Sequence, residues 1–159
     1  MTGLLYNRSC YSLLSSTITI DKLVSFAVEQ GYEAIALTDQ NVLFGAMEFY
    51  HKCTARNIKP VFGLEVQAYD SLDSYTYLLY ARNEAGYQEL IKISSRLNCG
   101  SNEQLSVAEV LAFKNVIIVE NALNVVNLQS MILISVYMLC TIAILLIVLA
   151  VAMVSNKDI

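Results

Sequence analysis

Apolar and polar positions change period several times along this 159-residue chain, and each change marks an element. "GLLY", Gly3 to Tyr6, is a short apolar run that suits a strand. After a polar loop, Ile20, Leu23, Val24, Ala27 and Val28 recur at helical spacing. Thr19 is placed to cap that helix, Asp21 to complement its dipole, and Gly31 to take the C′ position. "EAIAL", Glu33 to Leu37, is apolar without alternation, as in a strand covered on both faces. Leu43, Ala46, Met47, Tyr50 and Cys53 form a second helical stripe. Pro60 opens the strand "PVFGLEVQAY", and "SYTYLLYA" follows as another. Asn83 suits the cap of the helix "EAGYQELIKISSRL", with Tyr87, Leu90, Ile91 and Ser94 inward. The polar patch "NCGSNEQ" precedes a short helix "SVAEVLAF" and a strand "NVIIV", Asn115 to Val119. Strands alternating with helices predict an α/β fold of mainly parallel units.

The pattern then changes character. Between Asn121 and Asn156 there is no charged residue, and "MILISVYMLCTIAILLIVLAVAMV" runs apolar from Met131 to Val154. As a helix its roughly 24 residues reach about 36 Å, enough to cross a hydrocarbon core of about 30 Å. A buried core helix is the other reading, but core helices seldom run so far without a polar face. The expectation is a membrane span. Its place late in the chain excludes a secretory signal. Only "SNKDI" follows, and Lys114 and Lys157 are too few to set an orientation. The expected organisation is a folded domain over 1–120, a linker over 121–130, a span over 131–154 and a tail over 155–159.

Composition agrees with that division. Apolar residues make up 56% of the chain, above the usual level for a soluble domain, and the excess lies in the late run. A net charge of -4 and ten scattered basic residues exclude a surface built to grip phosphates, so no direct nucleic-acid binding is expected. "MTGLLYNRSCYSLL" has neither a basic start nor a long apolar core. Residues 1–120 are therefore expected in the cytoplasm, tethered to the cell membrane by a C-terminal single-pass helix in contact with the lipid bilayer. Cys10, Cys53, Cys99 and Cys140 share no metal or redox spacing and read as reduced thiols. The loop after "IALTD" brings Asp39 and Gln40 to the place where α/β proteins keep catalytic or metal-binding groups.

Five segments together carry a family resemblance: "YSLL" (Tyr11 to Leu14), "IALTD" (Ile35 to Asp39), "FGAMEFY" (Phe44 to Tyr50), "IKPVFGLEV" (Ile58 to Val66) and "LLYARNEAGYQELIKISS" (Leu78 to Ser95). In this order and spacing, over roughly residues 3 to 119, the chain resembles the PHP (polymerase and histidinol phosphatase) domain. The branch is the one at the start of the bacterial DNA polymerase III alpha subunit. The resemblance implies a distorted (β/α)7 barrel, here its first half only, with two or three metal ions at the C-terminal strand ends. Active members hydrolyse phosphoesters there, which requires imidazoles and carboxylates converging on metals that activate a water.

Position by position, the chain departs from that ligand set. The family's His-x-His falls on Tyr6 and Arg8, its Asp after "YSLL" on Ser15, and the His of its Thr-Asp-His on Gln40. Tyrosine is a poor ligand at neutral pH, and arginine brings a permanent positive charge. Glu65 matches the family's ligand Glu and Asp39 the Asp of its Thr-Asp-His, and the two are the remnant candidates for weakly held Zn, Mn or Mg. The only histidine, His51, reads as a helix-surface residue. Asp39 is expected to cap the loop or the following helix, and a Glu65–Arg8 pair is one replacement for the lost cluster. No catalytic residue is assigned.

Three functions follow from these readings. The first is a non-catalytic interaction module, a PHP fragment with the polymerase core or other replisome subunits as partners and no cofactor. The family's polymerase aspartates lie far downstream of any position matched here. The second is a membrane-anchored, metal-dependent PHP phosphoesterase. The third is a single-pass membrane protein with a vestigial N-terminal half. A truncated polymerase gene reading on into unrelated sequence is the favoured origin, and a functioning tethered half-domain is the other.

Overall fold

A computed structural model describes residues 2–71, 73–99 and 104–121. The linker beyond residue 121, the Met131 to Val154 span and the tail lie outside the described residues. Among the described residues, no helix is long and apolar enough to cross a membrane.

The described chain begins with strand β1 (Gly3–Leu4), helix α1 (Ile20–Glu29), strand β2 (Ala34–Leu37) and helix α2 (Ala46–Ala55). Next come β3 (Lys59–Asp70), β4 (Asp73–Ala81) and helix α3 (Glu84–Cys99). It closes with β5 (Leu105–Ser106), α4 (Val107–Leu111) and β6 (Val116–Glu120). The strands form one mixed sheet in the order β1-β2-β3-β4-β6, curled into half a barrel, with β5 beside β3.

The expectation of mainly parallel units holds for the first strands and for the short β5 beside β3. β1, β2 and the start of β3 run parallel, whereas β3–β4 and β4–β6 are antiparallel. The cause is local: no helical segment separates β3 from β4, so the chain turns straight back with Asp70 opposite Asp73. Ser71 takes a φ of 46°, the left-handed geometry that such tight connections use. Along one edge, β3 is met first by β2 at residues 59–62, then by a bridge between Gln40 and Glu65, then by β5 at residues 68–69.

Helix α1 follows its sequence pattern closely. Thr19 accepts from the Lys22 N–H, and Gly31, at C′, has a φ of 70°. Ile20, Leu23, Val24 and Ala27 are buried, but Val28 is exposed. At 100° per residue, Val28 lies at the edge of the stripe that Ile20 and Ala27 centre.

Helix α2 is rotated from its expected stripe. Ala46, Phe49 and Cys53 are buried, while Met47 and Tyr50 face solvent. Phe49 stands edge-on to Phe62 of β3 with ring centroids 6.1 Å apart. Burying Phe49 strands no polar atom, whereas Tyr50 keeps its hydroxyl in water. The same burial pushes the Cys53 thiol up to about 11.

Helix α3 shows a similar shift. Asn83 caps it by accepting from the Gly86 N–H, and Leu90 and Ser94 are buried as expected. Gly86 and Ile93 join them, and Tyr87 and Ile91 are only half-buried. Gly86 sets this rotation, because a Cβ there would sit 2.1 Å from the Asn115 carbonyl oxygen. Among the described residues the core is thus three clusters: one between α1, α2 and the parallel strands, one between α3, α4 and the antiparallel ones, and a small third of Ala36, Leu78 and Tyr80.

Candidate functional site

Beyond β1 the chain continues alongside β2 without joining it as a regular strand. Asn7 locks the register: its N–H donates to Thr38 Oγ1 at 3.0 Å, and its side-chain amide donates to the Ala36 carbonyl at 2.9 Å. The Thr38 N–H returns a bond to the Asn7 carbonyl at 2.8 Å. With Asn7 turned towards β2, Tyr6 and Arg8, two residues apart, both reach Glu65 of β3.

Glu65 is 3% exposed, and its carboxylate accepts three bonds. Arg8 donates from Nε at 2.8 Å and from Nη2 at 2.5 Å, a two-pronged fork, and the Tyr6 hydroxyl donates at 3.0 Å. Arg8 Nη2 also donates to the Tyr6 oxygen at 2.7 Å, and the guanidinium carbon lies 5.5 Å from the Tyr6 ring centre. Burial first, then the Glu65 carboxylate, raises the Tyr6 phenol above its ordinary value, which keeps it a donor. The hydrogen bond to Glu65 likewise raises Arg8.

Asp39, 1% exposed, lies two residues beyond β2 on the same rim. Its carboxylate accepts from the Ser9 N–H at 2.6 Å, the Ser9 hydroxyl at 2.7 Å and the Ser12 hydroxyl at 2.6 Å. Ser12 in turn accepts from the Gln40 N–H at 3.0 Å. Asp39 therefore anchors the 9–12 loop, whereas the expectation is a cap on its own loop or on the following helix. The Asp39 carbonyl accepts from the Glu65 N–H at 3.1 Å, and the Asn41 N–H donates to the Glu65 carbonyl at 2.9 Å. These backbone bonds join the two carboxylate-bearing segments.

Ser15 and Gln40 meet at the outer lip, with the Ser15 hydroxyl 3.4 Å from Gln40 Oε1. His51 is exposed on α2 and stacks edge-on against Tyr50. Among the described residues, no three His, Cys, Asp or Glu side chains are grouped to hold a metal ion. A cavity of about 490 Å³ opens beside the rim between Gln40, Asn41, Asn98, Cys10, Leu13 and Phe44. A second, of about 560 Å³, lies at the opposite end of β3 around Lys59, Phe62, Arg82 and Tyr87. It touches none of the rim residues.

Sequence reasoning placed Tyr6, Arg8, Ser15, Asp39, Gln40 and Glu65 at one site, and the structure brings all six to one rim. It missed Asn7, Ser9, Ser12 and Thr38, which fix the rim's geometry. The available signal was the polar run from Asn7 to Ser12 facing an aspartate with no basic residue assigned to it.

A family model of the PHP domain matches residues 5–145. The DNA polymerase III subunit alpha of Bacillus subtilis is 43% identical over 97 residues, 59% of this chain and 9% of that protein. The same subunit of Staphylococcus aureus is 34% identical over 119 residues, 75% of this chain and 11% of that protein. The chain thus spans about a tenth of the length of the curated relatives it matches. Among solved structures, an amidohydrolase from Chromobacterium violaceum with bound sulfate and no metal aligns over 61% of this chain and 35% of its own. Its TM-score is 0.49 at 21% identity.

Proposed function

This chain belongs to the PHP domain family, and from that premise we propose that it is a non-catalytic PHP module acting as an interaction or structural element in a DNA-replication setting. The observation that carries the proposal is the state of the two remnant carboxylates. Glu65 accepts from Arg8 and Tyr6, and Asp39 from Ser9 and Ser12. A hydrolytic metal cluster needs lone pairs converging on the ion, and a guanidinium has none to offer. Arg8 instead fixes a positive charge at the first motif, where a cation would have to enter. The donor set does not fit the family's metals.

The partner class follows from the relatives, which are replicative polymerase subunits. The polymerase core or another replisome subunit is the proposed partner. A second element of the proposal is a membrane tether formed by Met131 to Val154, supported by the length of that uncharged run. The family match runs to residue 145 and overlaps it, so alkaline extraction of membranes decides between a span and a further piece of the domain. Protein left in the membrane pellet supports the tether, and release into the supernatant removes it.

The competing reading, a metal-dependent phosphoesterase, draws on the retention of Asp39 and Glu65. One experiment separates the two. Purified full-length chain is analysed for Zn, Mn and Mg, and assayed on a generic phosphomonoester and on a 3′-terminal nucleotide. The expected result is trace metal and no turnover. Stoichiometric metal, with turnover abolished by Glu65→Ala, overturns the non-catalytic reading.

A further inference from the structure

Resting on the reading that no metal is resident, we propose that Arg8 is a built-in cation for Glu65, and that Arg8→Ala turns its place into a binding site for a small free cation, guanidinium above all. A buried carboxylate must be matched by a counter-charge or by several donors. Asp39 is matched by three donors from Ser9 and Ser12 and needs no cation. Glu65 has one such donor, the Tyr6 hydroxyl, and its other two bonds come from Arg8. Removing Arg8 leaves Glu65 with a single neutral protein donor, the Tyr6 hydroxyl.

The place left behind is shaped for its former occupant. The Glu65 carboxylate presents both oxygens to a planar fork, and the Tyr6 oxygen accepts from the same guanidinium at 2.7 Å. The Tyr6 ring flanks it at 5.5 Å. The Arg8 side chain is 31% exposed, so the recess opens to solvent and a free ion can enter without unfolding the rim. The neighbouring Ser9, Ser12 and Asp39 groups bond one another and do not compete for it.

Thermal unfolding of the full-length chain tests this. Arg8→Ala should melt about 5–10 °C below the unmodified protein. Low-millimolar guanidinium chloride, far under its denaturing range, should restore about 5 °C relative to sodium chloride at equal ionic strength. The unmodified protein should not respond, and Arg8→Ala combined with Glu65→Gln should lose the response. Equal effects of guanidinium and sodium on Arg8→Ala, or a guanidinium response that survives Glu65→Gln, overturn the inference. Should Arg8→Ala not fold, Arg8→Lys must melt closer to the unmodified protein than Arg8→Met does, and the reverse order overturns the inference. Metal analysis of the unmodified chain is read alongside. Stoichiometric metal there strikes the non-catalytic reading, whereas failed rescue in a metal-free protein strikes only the assignment of Arg8.

Discussion

The loop that holds Asp39 and the strand that holds Glu65 touch through a backbone bond, yet they accommodate a buried carboxylate by opposite means. Asp39 is surrounded by short dipoles, one N–H and two hydroxyls, all from the 9–12 loop. Glu65 is met by a full positive charge on a long side chain, 57 residues away in sequence. The first arrangement is buried and insensitive to the surroundings. The second is half in water, because the Arg8 side chain is 31% exposed. The two neighbouring segments thus form a dipolar site and an ionic one.

The largest effect should come from breaking the dipolar side. Asp39→Ala strands a buried N–H and two buried hydroxyls at once, and charged hydrogen bonds are individually worth about 1.5–3 kcal/mol. Because the three bonds are not additive, the expected loss is about 3–4 kcal/mol, read from urea unfolding of the full-length chain. A loss under about 1 kcal/mol would mean that the 9–12 loop stands without its anchor. On the ionic side, Arg8→Met should cost about 2–3 kcal/mol, reduced from the value for a fully buried pair by the solvent around Arg8. Replacing both partners, Arg8→Met with Glu65→Leu, should recover more than half of that loss, since no charge is then left unmatched. A double variant no more stable than Arg8→Met shows that the fork does more than neutralise.

Salt separates the two more gently. Raising ionic strength from about 0.1 M to 1 M shortens the screening length from about 10 Å to 3 Å. The stability gap between the unmodified protein and Arg8→Met should shrink, by about 0.5 kcal/mol, because solvent reaches the guanidinium. The gap to Asp39→Ala should not move. Equal sensitivity of the two gaps would erase the distinction between a dipolar and an ionic site.

How far each side was legible follows from the kind of interaction. The family resemblance put Tyr6 and Arg8 at the first motif and Glu65 at another, and the opposite charges of Arg8 and Glu65 suggested their pairing. Charge complementarity acts over a distance and can be read from residue types. The serine donors of Asp39 could not be read this way, because hydroxyls find partners everywhere and only the folded path of the 9–12 loop selects one. The rotations of α2 and α3 escaped for a related reason. Met47 and Phe49, or Ile91 and Ile93, are alike in hydropathy, and the choice fell to one ring contact with Phe62 and one close approach at Gly86. The antiparallel half was visible in the absence of any helical segment between β3 and β4. That signal was outweighed by the alternation elsewhere.

A surface carboxylate offers the smallest and most controlled comparison, because it combines both means. Glu109, in the first turn of α4, accepts from the Ser106 N–H at 2.9 Å and from the Ser106 hydroxyl at 3.0 Å, while Arg96 donates to its other oxygen at 2.9 Å. Ser106 receives the Glu109 N–H at 3.2 Å, completing a capping box. The backbone bond from Ser106 first, then Arg96, lower the Glu109 carboxyl to about 2 from an ordinary 4.5. Because the folded value is the depressed one, the stabilisation is complete above about pH 4.5 and is lost as pH falls towards 2. Glu109→Gln removes that titration, so the melting difference between the two proteins should be constant above pH 5 and close between pH 4.5 and 2. Adding Arg96→Met should shift the closing point only modestly upward, since the dipolar Ser106 contribution is the larger one. If Arg96→Met alone returned the closing point to the ordinary carboxylate range, charge would dominate even at an exposed carboxylate held by a capping box. The dipolar account of Asp39 would then lose its nearest parallel in the chain.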